Sequence, residues 1–226
     1  MFRTSLAPKR LVTYSAFALL TISLAFSSCK KEDDPEIPIT PPVVTNAYSF
    51  PMTDGSYWVY QQERTDSDGV VVQAGAIDSL YVEGDTVIGA TTYKKIRTIT
   101  SSGSQFFPAQ GLAICRDSAG YMVGPLGSYI DFYNFTDTLN YHDYSGMINA
   151  WYFMRHRDSS VTVPAGTFTT IDYEGHLYAT DPNYPWSTLR HTHQVFADGV
   201  GKIVDILYFY SSPDYIQRRL IRYHIQ

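Results

Sequence analysis

The sequence is poor in cysteine, in basic charge and in helical periodicity. Only Cys29 and Cys115 occur in 226 residues, so the disulfide framework that staples many small secreted domains is not available. Lys and Arg number 17 against 22 Asp and Glu, a deficit that argues against nucleic acid as a partner. Beyond the N-terminal stretch, no window of a dozen residues sustains a 3.6-residue apolar period. Catalytic and cofactor motifs are missing as well. There is no G-x-S-x-G elbow, H-E-x-x-H helix, P-loop or dinucleotide-binding glycine pattern. No cofactor is expected, and binding or scaffolding is expected ahead of catalysis.

What is present comes in blocks. Arg3, Lys9 and Arg10 precede an apolar run from Leu11 to Phe26, which ends in Ser27, Ser28 and Cys29. A basic start, an apolar middle and small residues before a cleavage point describe a signal peptide. A transmembrane helix needs about 20 apolar residues, and this run is shorter and interrupted by Thr and Ser. Leu24-Ala25-Phe26-Ser27-Ser28-Cys29 resembles a lipobox, with Phe26 where Leu or Val is usual. The resemblance implies diacylglycerol on the Cys29 thiol, cleavage after Ser28 and acylation of the new amine. Each buried CH₂ contributes about 0.8 kcal/mol, and two or more chains hold stably where one binds marginally. Processing removes three basic residues and no acidic one, leaving the mature chain more negative than the precursor at −5. It also leaves Cys115 alone, in the apolar run Leu112-Ala113-Ile114-Cys115, where a thiol behaves as a small hydrophobe.

Residues 30–47 read as a tether. Charge comes first, then Pro35, Pro38, Pro41 and Pro42 favour extended polyproline geometry. At about 3.1 Å per residue this segment spans up to roughly 50 Å. Lys30-Lys31-Glu32-Asp33-Asp34 resembles the acidic export signal that sends Bacteroidota lipoproteins to the outer face of the outer membrane, and it also fits a simple solvated linker. The expected organisation is a signal peptide over 1–28, lipidated Cys29 with its tether over 29–47, and one domain over 48–226. The expected location is the cell envelope, as an outer-membrane lipoprotein held through lipid on Cys29.

From Tyr48 onward the pattern is strand after strand. Ser56 to Gln61 is aromatic and β-rich; Ile77 to Val82 and Thr91 to Ile99 flank Gly84-Asp85 and Ile88-Gly89-Ala90 as a hairpin region. Ile114-Cys115-Arg116 and Tyr121-Met122-Val123 flank the turn Asp117-Ser118-Ala119-Gly120. Further strands are expected at 151–156, 160–163, 168–178, 187–196, 203–210 and 216–225. In 168–178, Thr169, Ile171, Tyr173 and Leu177 share one side, while Asp172, Glu174 and His176 share a wet one. In the last strand Ile221, Tyr223 and Ile225 oppose Arg218, Leu220, Arg222 and His224. The 203–210 run is apolar on both sides apart from Asp205 and is expected to be central. The fold class is all-β, a single antiparallel domain built as a curved sheet, sandwich or open barrel.

Gly55-Ser56-Tyr57-Trp58-Val59-Tyr60, Gly84-Asp85-Thr86-Val87-Ile88-Gly89 with Tyr93-Lys94-Lys95, Val163 to Phe168 (VPAGTF) and Phe196 to Ile203 (FADGVGKI) resemble uncharacterised Bacteroidota lipoproteins. The resemblance covers most of residues 50–226. It implies an architecture of turns and strand edges and carries no reaction or catalytic residue.

His191-Thr192-His193 is the sharpest chemical candidate. Residues two apart on a strand point to one face, so both imidazoles can approach one metal. A third ligand, His176 or Glu174, requires the neighbouring strand in the right register. The same residues also fit hydrogen-bonded sheet positions. Asp66-Ser67-Asp68-Gly69 begins like a calcium loop but lacks the distal Glu, and reads as a polar hairpin tip. Asp172 with Glu174 fits either a solvated strand face or a carboxylate pair of the glycosidase kind. The 19 Tyr, 12 Phe and three Trp make 15% of the chain, with Tyr dominant. They read both as packing and as an exposed platform for a glycan or an envelope protein. Two further functions stay open: a carrier holding an apolar ligand in the curved sheet, and a hydrolase using His191, His193 and a carboxylate.

Overall fold

The computed structural model describes residues 48–101, 110–127, 129–181, 189–209 and 212–226. The signal peptide, Cys29 and the tether lie outside them, as do the start of the 187–196 strand and Tyr210. The described residues form twelve strands: β1 (Tyr57–Thr65), β2 (Val71–Ile88), β3 (Thr91–Thr100), β4 (Gln110–Asp117), β5 (Tyr121–Val123), β6 (Tyr129–Asp131), β7 (Asn140–Tyr144), β8 (Ile148–Val163), β9 (Gly166–Ala179), β10 (Arg190–Ala197), β11 (Gly201–Tyr208) and β12 (Tyr215–His224). The all-β expectation holds, and the architecture is one curved, unclosed antiparallel sheet. Among the described residues no helix is long and apolar enough to cross a membrane.

The strand order is β6-β5-β4-β3-β2-β1-β12-β11-β10-β9-β8-β7. Every neighbour is a chain neighbour except at the middle, where β1 pairs with β12 from Tyr57↔His224 to Thr65↔Tyr215. The two edges, β6 and β7, are consecutive in sequence, so the sheet stops one pairing short of a closed meander. Phe132 and Leu139, at either end of the connection between those edges, are buried. They pack with Met154, Ile171, Tyr173 and Phe196, and Met122 and Ile130 from β5 and β6 join them. The two ends of the sheet therefore share one core.

Strand β1 explains why the middle holds. Trp58 and Tyr60 are 0% and 2% exposed, and each also places a polar tip. Trp58 Nε1 donates to the Val200 carbonyl at 2.6 Å, and the Tyr60 hydroxyl donates to the Lys202 carbonyl at 2.6 Å. Burying a Trp side chain contributes roughly 5 kcal/mol at about 25 cal/mol/Å². The expected turns form where glycine was placed. Gly120 takes φ +88°, and a Cβ there would lie inside the Tyr133 ring, so the turn needs Gly for both conformation and space. At the β1–β2 turn the Asp66 carboxylate accepts from the Asp68 and Val70 amides at 3.0 and 2.9 Å, which makes 66–69 a capped hairpin tip.

Two faces differ from the sequence pattern. In β12 the buried side carries Ile216 and Leu220 with Arg218, while Tyr223 is exposed. β12 sits at the centre, its inward face completes the core, and carboxylates neutralise Arg218 there. In β9 the expected wet side is covered: Asp172 and Glu174 are 5% and 6% exposed. Imidazoles of His176, His191, His193 and His156 stand against them, the last on a bulge in β8 between Arg155 and Ser159, where His156 and Asp158 take φ 52° and 60°. Beyond it the β8–β9 hairpin packs onto β12, where the Ala165 amide donates to Leu220 O and Arg219 donates to Thr162 O. Val163 joins Val195 and Val204 in a core cluster. The 203–210 run lies inside the sheet between β10 and β12, with Ile203, Val204 and Asp205 buried.

Candidate functional site

The register between β9 and β10 builds the site. His191 stands directly opposite His176, and His193 opposite Glu174, in a ladder without a bulge. Side chains of paired residues share a face. His191 Nδ1 meets Glu174 Oε1 in a short contact, and His176 Nε2 lies 3.1 Å from the same oxygen. His193 Nδ1 lies 2.6 Å from Asp172 Oδ2. From β8, the bulge brings His156 Nε2 within 3.6 Å of Glu174 Oε2. Four of the six histidines thus converge on two largely buried carboxylates.

The electrostatics are those of a coupled cluster. Burial pushes the Glu174 carboxyl up, but the hydrogen bond with His191 and the neighbouring imidazoles outweigh it and hold Glu174 below the usual carboxylate range. Burial pushes His193 down, and the Asp172 hydrogen bond and charge, with Glu174, raise it above the ordinary imidazole value. Asp172 Oδ1 is buried and has no hydrogen-bond partner among the described residues.

The rim of the site is aromatic. Phe153 lies 4.9 Å from His176, and Trp151 meets Tyr178 edge-on at 5.2 Å and Tyr141 at 5.3 Å. Trp151, Phe153, His176 and Tyr178 line an open depression of about 260 Å³. Tyr141 and Tyr178 are exposed, whereas Phe132 is core, so the aromatic-rich region divides between packing and surface.

Period-two alternation placed His191 with His193 and Asp172 with Glu174 and His176. The structure joins His191 to His176 and Glu174, and sets His193, two residues along the strand, against Asp172. The sequence reading missed His156. Its only signal was the break between the strands expected at 151–156 and 160–163, where the bulge lies.

A second concavity, about 250 Å³, opens between the two ends of the sheet and is lined by Ile114, Cys115, Met122, Ile130 and Tyr173 among others. Both concavities fall below the roughly 300–1,000 Å³ of typical small-molecule pockets.

A single open antiparallel meander with a histidine–carboxylate cluster on one face defines the class by fold alone. No protein-family model matches the sequence, and no curated protein matches it. Two solved structures are similar to it. A candidate lipoprotein from Parabacteroides distasonis shares 14% identity over 79% of this chain and 99% of its own, with a TM-score of 0.51. A candidate exported protein from Bacteroides fragilis, described as having a YmcC-like fold, shares 14% identity over the same fractions, with a TM-score of 0.46. At this identity the first likeness is one of fold.

Proposed function

We propose that this protein is a lipid-anchored binding module of the cell envelope whose recognition surface is the aromatic depression beside the histidine–carboxylate cluster. The observation that carries the reading is the depression itself. Flat rings of Trp151, Phe153 and Tyr178 stand next to His176, with Glu174 behind it. Such a surface suits a glycan, which offers an apolar ring face for stacking and hydroxyls for hydrogen bonds. The signal peptide and lipobox supply the anchor on Cys29, and the tether carries the domain away from the membrane. The fold of the Parabacteroides candidate lipoprotein supports an envelope location. The outer membrane, facing outward, is the location proposed from the acidic residues after Cys29.

A hydrolase is the second reading, because His191 and His193 each lie within hydrogen-bond reach of a carboxylate, Glu174 and Asp172. Binding is put first because the sequence carries no recognised catalytic motif. For the carrier reading, the open cleft between the sheet ends, about 250 Å³, is the apolar-lined concavity that would take a ligand.

The test is the full chain in detergent, screened against an array of bacterial and host glycans beside Trp151→Ala and Tyr178→Ala. Selective binding that either variant weakens about tenfold or more supports the reading, taking about 1.4 kcal/mol per tenfold. No glycan bound, or binding indifferent to both variants, overturns the glycan and leaves an envelope protein as the partner to seek by crosslinking.

A further inference from the structure

We infer that Glu174, His176 and His191 form a binding site for a divalent transition metal, with zinc as the probe occupant. The inference depends neither on the lipid anchor nor on what the aromatic depression binds.

The donor set selects the metal. Two imidazoles and one carboxylate suit zinc and its first-row neighbours, whereas calcium and magnesium take oxygen ligands. Geometry agrees. One ligand atom from each of the three residues lies within 4.8 Å of the other two. Bonds of about 2.0–2.1 Å to a tetrahedral ion put ligand atoms roughly 3.4 Å apart. His176 Nε2 and Glu174 Oε1 are already 3.1 Å apart, so small side-chain rotations complete the site.

Rigidity and charge add two independent arguments. All three ligands stand on adjacent strands in an unbroken ladder, two of them directly opposite each other. Hydrogen bonding with the imidazoles accounts for Glu174 Oε1 and for Asp172 Oδ2, but not for the rest of Asp172. Its Oδ1 is buried without a partner, and an Asp172 oxygen groups within 4.8 Å of ligand atoms of His156 and Glu174. A cation held at Glu174, the residue the two groups share, lowers the cost of that buried, unpartnered carboxylate oxygen.

The arrangement also supplies surroundings of the kind metal sites use. Asp172 is held by His193, and charged groups just outside the ligands tune a metal site. His191 and His176 keep 39% and 23% of their side-chain surface exposed, so a fourth position faces solvent. Three protein ligands with an open position leave room for water or for a group of a bound molecule.

The experiment is a calorimetric titration of the untagged full chain with Zn²⁺, with Co²⁺ absorption as an independent report of tetrahedral coordination. One equivalent of Zn²⁺ should bind and raise the melting temperature. His191→Ala and the near-isosteric Glu174→Gln should each weaken binding at least about tenfold. His142→Ala and His224→Ala, which alter histidines outside the cluster, should leave it unchanged. Circular dichroism of each variant without metal separates lost binding from lost folding, and the Co²⁺ spectrum of the unaltered chain stands whether or not a variant folds. No binding by the unaltered chain overturns the site. So does binding that survives in the folded cluster variants, or that His142→Ala weakens equally, since the ion then sits elsewhere.

Discussion

Arg218 on β12 reaches across β1 to Asp78 on β2, with Nε 2.8 Å from Oδ2. Asp78 is fully buried and also accepts hydrogen bonds from Gln62 at 2.7 Å and Thr100 at 2.5 Å. Arg218 lies 3.6 Å from Asp205, which Lys202 holds at 2.9 Å. The centre of the sheet is thus pinned by charge as well as by Trp58 and Tyr60. Removing one partner of a buried pair leaves the other uncompensated, at about 3–5 kcal/mol. Asp78→Ala should fall near the lower end, because Asp205 still faces Arg218. Urea denaturation measures it, and a loss under about 1 kcal/mol would show that the pair does not hold the sheet.

Cys115 is predicted to be chemically quiet. Burial pushes its thiol up to about 11 from an ordinary value of 9.0. In Cys29→Ala, where it is the only thiol, alkylation at pH 8 should run about 100-fold slower in the folded than in the unfolded chain, following the thiolate fraction. The same shift has a sign for stability. The neutral thiol is favoured in the fold, so its contribution is complete below about pH 9 and declines as pH rises toward 11. Cys115→Val should remove that part of the alkaline decline, and rapid alkylation of the folded chain would contradict the prediction.

Gly175 separates Glu174 from His176 and leaves room on the opposite side of β9. A Cβ there would lie 2.7 Å from Tyr152 Cε1 and closer still to Thr192 Oγ1. Tyr152 stacks on Tyr173 at 5.2 Å, so it cannot withdraw freely. Gly175→Ala should destabilise by about 1–3 kcal/mol through overpacking. The readout is the melting temperature; an unchanged or higher value would show that β9 can shift to accept the methyl group.

Lipidation is tested in a Bacteroidota host fed a clickable palmitate analogue. The unaltered chain should label and migrate as the processed form, while Cys29→Ala should remain unlabelled and uncleaved. Label that persists in Cys29→Ala would refute the anchor.

Legibility in the sequence followed local physics. Strands rich in aromatic and β-branched residues announced themselves, such as Ser56–Gln61 within β1 and Thr91–Ile99 within β3, and Gly89 and Gly120 marked the β2–β3 and β4–β5 turns. The edge strands did not, because Tyr129–Asp131 is only three residues long and Asn140–Tyr144 mixes Asn, His and Asp with tyrosine. Half of the site was readable, since alternation alone put His191 with His193 and Glu174 with His176. The register setting His176 against His191 was not readable, because whole-strand pairing decides it. The wet-face reading of Asp172 and Glu174 failed for a related reason: alternation reports two faces, but not which one imidazoles from neighbouring strands later cover.

The β1–β12 pairing governs how the chain must assemble. Every other ladder joins strands adjacent in sequence, so each can form as a local hairpin with a small loop-closure cost. Bringing Tyr57 to His224 is the single long-range step, and it is also the step that seats Trp58, Tyr60 and the Arg218–Asp78 pair. Hairpins closed locally stay unlocked until that encounter, so contact order points to the joining of the two halves as the slow step of folding.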